Sequence, residues 1–208
     1  MNEIAIFGKP GSIAKYDLTK NKSLWIGQLE PKYIPYSISQ YENYVLVFSY
    51  SKWGAKSMIH CFTEDAGELL WFGLTKNFIK AGFPFYPHVL GDCLYFMASP
   101  KEVAKLNLQS GKLLFKKTFE KSMFRSYRMI IISDQVYLLS SKDAKIIDKN
   151  SGAIQACEDI GNKINLKEIS ASLGNGTSFM SSISLTHPQS GGDGSSAMMA
   201  GDAGGGGE

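Results

Sequence analysis

Three histidines and three cysteines are the side chains of this chain best suited to metal binding or nucleophilic catalysis. His60, His88 and His187 fall in three different settings, an outer-facing strand, the start of an inner strand and a glycine-rich tail, so a shared metal site is not expected. The cysteines are Cys61, Cys93 and Cys157. They are odd in number and lack the Cys-x-x-Cys spacing of zinc sites and redox pairs. We therefore predict buried free thiols, no disulfide and no bound metal.

No other catalytic arrangement is apparent. The Gly-Lys pairs at 8–9 and 111–112 lack the GxxxxGK[ST] form and the following helix of a phosphate-binding loop. His88 follows Tyr86 and Pro87 at the expected start of an inner strand, where it is either a functional contact or a hydrogen-bonded structural histidine. The sequence therefore predicts a protein that is not an enzyme and that binds no cofactor.

Charge gives little support for nucleic-acid binding. The chain has 22 basic and 19 acidic residues, a net charge of +3, and only Arg125 and Arg128 are arginines. Arginine supplies most bidentate contacts to phosphates and guanine edges, so its scarcity disfavours specific nucleic-acid recognition. The basic residues of segment 112–128 are Lys112, Lys116, Lys117, Lys121, Arg125 and Arg128. They form either a solvated outer strand and loop or a docking patch for an acidic protein partner.

The sequence also lacks membrane and export signals. No apolar run approaches the ~18 residues of a membrane helix. The start MNEIAIFGKPG lacks the charged and apolar regions of a secretory signal. We expect a cytoplasmic protein without membrane attachment.

A repeat dominates the chain. Tight turns at Asn21, Gly67, Gly111 and Gly152 are spaced by 46, 44 and 41 residues, as in four-stranded propeller blades. The residues four positions after these turns are Trp25, Trp71, Phe115 and Ala156. A large ring on the outermost strand is expected to wedge between adjacent blades. The fourth unit lacks that ring, so we expect it to pack most loosely.

Period-two alternation places the strands around each turn. The expected inner strands are residues 35–40, 86–90 and 127–132. The second strands are 4–8, 44–50, 93–99 and 135–140, and the third strands are 12–17, 56–62, 102–107 and 143–148. The first unit lacks an inner strand of its own. Residues 163–173 (KINLKEISASL) have the alternation needed to supply it and so to close blade one.

Residues 4–160 resemble the pyrroloquinoline-quinone-like propeller repeat, in which a strand ends in Asp, Gly follows in the turn and Trp comes four residues after the Gly. Four positions depart from that pattern: Thr63, Asn107, Asn21 and Ala156. The resemblance implies an all-β propeller. Quinoprotein chemistry in that family uses a calcium-held cofactor, a catalytic carboxylate and an adjacent Cys-Cys pair, and this chain has no adjacent pair. The resemblance therefore implies the architecture without the activity.

The predicted fold is a small β-propeller of about four four-stranded blades in residues 1–186, with blade one closed by a C-terminal strand. Family members usually have seven or eight blades. Five blades are possible here if residues 177–186 join, and an incomplete ring completed by a partner is the other alternative. Asn175-Gly176 is a hairpin-turn signal. Residues 187–208, rich in Gly and Ser, are predicted to form a flexible tail.

Aromatic residues and prolines recur where the chain enters each inner strand, as in the FPFYP run of residues 83–87. Phe124 lies in the corresponding stretch of the fourth unit. They are expected either to form a binding face around the channel or to pack between blades. The predicted partner-binding residues are Tyr33, Tyr36, Phe85, Tyr86, His88, Lys117, Lys121, Arg125, Tyr127 and Arg128. The predicted function is that of an adaptor, or an inhibitor such as an immunity protein that neutralises a toxin. The alternative is a small-ligand or enzyme site in the central channel that uses Tyr86, His88 and Arg128.

Overall fold

The computed structural model describes residues 3–53, 56–121 and 125–158. Blade one contains β1 (Ile4–Lys9), β2 (Ser12–Asp17) and β3 (Lys22–Gln28). Blade two contains β4 (Tyr33–Gln40), β5 (Tyr44–Ser51), β6 (Ser57–Thr63) and β7 (Leu69–Leu74), followed by the short helix α1 (Thr75–Phe78). Blade three contains β8 (His88–Leu90), β9 (Cys93–Ser99), β10 (Glu102–Asn107) and β11 (Leu113–Thr118). Blade four contains β12 (Arg128–Ile132), β13 (Gln135–Leu139), β14 (Ala144–Ile147) and β15 (Ile154–Ala156).

Each blade is an antiparallel meander in which neighbours in sequence are neighbours in the sheet. Blade one has three described strands and the other blades have four. The all-β, four-unit prediction is therefore confirmed, and the fold is that of a small β-propeller. β2, β9 and β10 have the predicted bounds. No described helix is long and apolar enough to cross a membrane.

Some sequence expectations differ from the structure. The inner strands β8 and β12 begin at His88 and Arg128, later than predicted, because the residues just before them, 83–87 and 125–127, are not paired into strands. The one-turn helix α1 is not predicted by strand periodicity. Phe124, the closing strand at 163–173, the possible strand at 177–186, His187 and the tail lie outside the described residues.

The core lies between blades. Ile6 and Ile13 of blade one pack with Val45, Val47 and Phe62 of blade two in one buried cluster. A second cluster joins blades two and three, and a third joins blades three and four. Because each sheet has apolar residues on both faces, a blade is stable only with a neighbour on each side.

Three wedge rings, Trp25, Trp71 and Phe115, form the joints between blades. Each ring lies against the turn glycine of the next blade, and those glycines are Gly67, Gly111 and Gly152. The glycines have φ between 67° and 73°, and a Cβ there would lie 2.4 to 2.8 Å from the ring. The position therefore needs glycine both for its left-handed backbone and for the space that the ring occupies. This confirms the predicted wedge.

A β-bulge precedes each wedge ring. The pairing of β3, β7 and β11 shifts register just before the aromatic residue, so Leu24, Leu70 and Leu114 have no partner opposite them. Such a bulge re-aims the following side chain. Two of the rings also donate a hydrogen bond across the joint: Trp25 Nε1 to the Glu64 carbonyl at 2.9 Å, and Trp71 Nε1 to the Leu108 carbonyl at 2.5 Å.

The strand beside each ring adds a second donor at the joint. Lys15, Cys61 and Lys105 lie opposite Trp25, Trp71 and Phe115. They donate to the carbonyls of Glu64, Leu108 and Lys149, which are equivalent positions in successive turns. Lys15 also forms a salt bridge with the Glu64 carboxylate. The joint is therefore a ring, a glycine and a turn carbonyl that accepts from the neighbouring strand, repeated three times. At the two Trp joints the same carbonyl also accepts from the ring nitrogen.

Blade four does not continue this pattern. β14 and β15 pair without a register shift, so Gln155 rather than Ala156 lies opposite Ile146, and neither residue provides a ring. The corresponding turn of blade one contains Asn21 at φ 51°, and the Asn21 amide accepts a hydrogen bond from the Tyr16 hydroxyl at 2.7 Å. The last described blade thus lacks the wedge ring, and the first described blade lacks the receiving glycine.

His60 is a buried residue, contrary to the outer-facing position expected from sequence. Its ring lies near Ser49 and stacks with Phe62 and Phe72, while Tyr33 meets it edge-on. Burial lowers the pKa of His60 to about 4, although a backbone hydrogen bond at Val47 partly opposes this. The imidazole is neutral in the folded protein at neutral pH. Of the three cysteines, Cys61 is buried as predicted, and Cys93 and Cys157 are partly exposed; all three are free.

Gly111→Ala is expected to destabilise the protein by about 3 kcal/mol or more, since it adds left-handed strain and displaces Trp71. Gly91→Ala is the matched control, because Gly91 also has positive φ (55°) but has open space at the Cβ position. It should cost only about 1 kcal/mol. Urea unfolding of both variants measures the difference. Equal losses would contradict the role of the ring.

His60 should make stability pH-dependent. Its folded pKa lies below the unfolded value, so the unfolded chain binds more protons and stability is lost as pH falls from about 6.5 towards 4. Between pH 7 and pH 5 this group should contribute a loss of roughly 2 kcal/mol, given 1.36 kcal/mol for each pKa unit. Urea unfolding at both pH values should show a smaller loss for His60→Phe than for the wild type. An identical pH dependence would refute the assignment.

Candidate functional site

An exposed group of aromatic side chains, the aromatic rim, lies on blades two and three. It consists of Tyr36, Tyr50, Trp53 and Tyr86, with exposed fractions of 50%, 42%, 88% and 63%. Tyr36 lies near the start of β4 and Tyr50 near the end of β5, and those strand ends are paired. Trp53 is in the β5–β6 turn, and Tyr86 is in the loop that enters β8. Antiparallel pairing therefore places all four at the same end of their blades.

A ladder of rings connects the rim to the core. Tyr36 lies 6.0 Å from Tyr50 and 6.3 Å from Phe48, measured between ring centroids. Phe48 then lies 5.1 Å from Phe85, and Phe85 lies 5.1 Å from Phe96. The ladder passes from blade two to blade three, so Tyr36 and Tyr50 are connected to packed rings on both sides of a blade joint. Such offset ring pairs stabilise a defined geometry.

Sequence reasoning identifies only part of this rim. Tyr36 and Tyr86 are predicted and exposed, and Phe85 is predicted and half-buried within the ladder. Trp53 and Tyr50 are missed, because Tyr50 lies within an expected second strand and Trp53 in the turn that follows it. The signal available for Trp53 is a large apolar residue in the polar turn SKWGAK, where no core is expected.

Two predicted surface residues are corrected by the structure. Tyr33 and Tyr127 are buried, with 4% and 7% of their area exposed. Tyr33 packs against His60, and Tyr127 packs edge-on against Phe119. Aromatic residues therefore recur near the inner strands for two reasons, exposure at the surface and packing in the interior. Tyr33 and Tyr127 belong to the packed interior.

Arg125 and Tyr127 are held by Asp143. Arg125 Nη1 lies 2.9 Å from Asp143 Oδ2, and the Tyr127 hydroxyl donates to the same oxygen at 2.6 Å. The Ser140 hydroxyl donates to the other carboxylate oxygen. Partial burial opposes ionisation, but these hydrogen bonds and the Arg125 charge outweigh it and hold the pKa of Asp143 below its usual value. The network fastens the loop before β12 to the β13–β14 turn, which is a structural role.

The remaining predicted residues are spread over blades three and four. His88 is half-buried and forms a backbone hydrogen bond at Met129 of β12, and burial lowers its pKa. That bond links neighbouring inner strands, as expected of a structural histidine. Lys117 and Arg128 are exposed, and Lys121 is partly buried.

One open crevice of about 490 Å³ lies between blades three and four. Its lining includes Lys117, Lys145, Ser151 and Ile154. It lies at the outer strands and the turn of blade four, and its lining contains none of Tyr86, His88 and Arg128. The channel residues proposed for a small-ligand site are thus separate from this crevice. Across the described ranges, no group of three or more His, Cys, Asp and Glu side chains is placed to hold a metal ion.

Comparison with known proteins gives distant likenesses among solved structures. No family model matches the chain, and no curated protein matches it. Among solved structures it is similar to BamB from Moraxella catarrhalis, with 14% identity, a TM-score of 0.44 and coverage of 74% of this chain and 45% of that one. A europium-containing methanol dehydrogenase gives 10% identity, a TM-score of 0.44 and coverage of 75% and 40%.

A protein of unknown function from Bacteroides caccae gives 16% identity, a TM-score of 0.39 and coverage of 76% of this chain and 58% of that one. The chain thus spans about half the length of these structures. The class, a small β-propeller, rests on the chain's own blades and joints. No particular function follows from the likenesses.

Proposed function

We propose that this propeller is a non-enzymatic protein-binding module that uses the aromatic rim to contact its partner. The observation that carries the proposal is the exposure of Tyr36, Tyr50, Trp53 and Tyr86 at one end of blades two and three. Packed rings support Tyr36 and Tyr50 there. Tryptophan and tyrosine are the residues most enriched in binding hot spots, because they bury a large area with little loss of side-chain freedom. A rigid base keeps the ordering cost of binding low.

The charge beside the rim favours an acidic partner. Lys52 and Lys56 flank Trp53 and are exposed, and Lys32 is joined to the same turn through a backbone hydrogen bond from Lys52. The Lys32 ammonium lies 5.3 Å from the Tyr33 ring centroid and pairs with Glu30. Within the described ranges, neither Lys52 nor Lys56 forms a salt bridge. Their charges would therefore attract a negatively charged surface and raise the rate of association.

An adaptor and an inhibitor such as an immunity protein would both use such a surface. The two differ in whether binding blocks the activity of the partner. We favour a binding role over a catalytic one because three of the titratable residues predicted from sequence, His88, Arg125 and Tyr127, are engaged in structural hydrogen bonds. A cytoplasmic location is part of this proposal.

The proposal predicts that Trp53→Ala/Tyr86→Ala loses its partner. The immobilised variant should recover the partner from an extract of the source cell far less well than the wild type, with affinity reduced at least about 30-fold if each ring contributes about 1 kcal/mol or more. Leu18→Ala/Leu114→Ala is the matched control, since both leucines are exposed outside the rim. Recovery equal to the wild type by the Trp53/Tyr86 variant would refute the rim as the binding surface.

A second variant tests the charge. Lys52→Glu/Lys56→Glu should slow association at low salt, and the difference from wild type should shrink as salt screens the charges. Lys20→Glu/Lys22→Glu changes the same charge in the turn of blade one and should bind normally. If both double variants associate at the same rate, the acidic-partner part of the proposal fails and the aromatic part is judged by the first experiment.

A further inference from the structure

The crevice between blades three and four occupies a space that aromatic rings fill at the two other joints. Two residues after the wedge rings come Gly27, Gly73 and Lys117, each on the same face of its outer strand as the ring. At the first joint the Phe62 ring lies against Gly27, where a Cβ would be 2.9 Å from it. At the second joint the Phe78 ring of α1 lies against Gly73, where a Cβ would be 2.8 Å away. At the third joint the crevice opens beside the lysine.

Blade four supplies a second lysine to the same space. Lys145 of β14 lies opposite Leu138 of β13, and Leu138 belongs to the buried cluster that joins blades three and four. Residues opposite each other in an antiparallel pair share a face, so Lys145 emerges on the face that meets blade three. Lys117 lies opposite Val103 of the same cluster and so emerges on the face that meets blade four. The two lysines therefore enter the joint from opposite sides, and both line the crevice.

The lining of the crevice has an excess of positive charge. Its charged residues are Lys117, Lys145 and Glu120, of which Glu120 is exposed just beyond the end of β11. Within the described ranges, none of the three forms a salt bridge. Asp143, whose pKa is lowered in part by the Lys145 charge, is already paired with Arg125. An anion in the crevice would be attracted by both ammonium groups at once.

The size and the apolar part of the lining indicate the class of ligand. A volume of about 490 Å³ lies within the range of small-molecule sites, roughly 300 to 1,000 Å³. Phe119 and Ile154 give the crevice apolar surface. The Tyr127 ring packs edge-on against Phe119 and lies with its centroid 5.9 Å from the Lys145 ammonium, so one ring supports both. Lysine ammonium groups bind phosphate as point charges. These features together fit a phosphate group that carries an apolar substituent.

We propose that this crevice binds a small organic phosphate. Lys117 and Lys145 bind the phosphate group, and Phe119 and Ile154 contact the apolar substituent. The site shares no residue with the aromatic rim, so it adds a ligand to the function proposed above and does not depend on it. Because the two lysines belong to different blades, the bound ligand also links blades three and four and stabilises the folded protein.

Titration calorimetry of the full-length chain with phenyl phosphate tests the proposal. The wild type should bind this probe, and Lys117→Gln/Lys145→Gln should bind it at least about 10-fold more weakly, since both charged donors are lost. The matched control is Lys112→Gln/Lys142→Gln, which removes one exposed lysine from each of the same two blades, outside the crevice lining. The control has the same net charge as the first variant and should bind like the wild type.

Phenol and inorganic phosphate test the two parts of the ligand, and each should bind at least about 10-fold more weakly than phenyl phosphate. Three results would overturn the proposal: no binding of phenyl phosphate by the wild type, equal affinities of the two lysine variants, or inorganic phosphate bound as tightly as phenyl phosphate. If the Lys117/Lys145 variant fails to fold, Glu120→Gln decides the question. It removes the carboxylate of the lining and should tighten phenyl phosphate binding, and an unchanged or lower affinity would count against the site.

Discussion

The contact between a wedge ring and a left-handed glycine is the interaction on which the rest of the structure depends. Each blade has apolar side chains on both faces and cannot bury them alone. The ring fills the space between outer strands, where adjacent blades diverge, and the glycine leaves room for it. The turn carbonyl binds the Trp Nε1 and the neighbouring strand's donor, so the joint also fixes the rotation of one blade against the next. Three such joints align the loops that bear the aromatic rim.

The rim depends on this alignment because it spans a joint. Tyr36 and Tyr50 belong to blade two, and Phe85 and Tyr86 belong to the approach to blade three, with Phe48 between them. A shift of one blade against the other would break the ladder of rings. The proposed binding surface therefore depends on the packing of blades two and three, whose joint contains the contact between Trp71 and Gly111.

Much of the fold is predictable because the same pattern of strands and turns occurs in several units of the sequence. Gly67, Gly111 and Gly152 each occupy a turn with one backbone requirement, and period-two alternation fixes the flanking strands. The candidate site is less predictable. Tyr33 and Tyr36 are three residues apart in one strand, yet one is buried against His60 and the other is half exposed. Which of the two is buried depends on the side chains that pack against each of them, and those side chains come from other strands.

The sequence by itself determined the blade repeat, the wedge rings and the absence of an adjacent cysteine pair, since each is a local pattern with a local physical cause. Only the tertiary structure decided which aromatic residues reach solvent, that Arg125 and Tyr127 bind Asp143, and that blade four lacks the bulge before Ala156. Exposure and pairing depend on residues far apart in the chain. A periodic pattern specifies which side chains share a face, and the neighbouring blade specifies whether that face is covered.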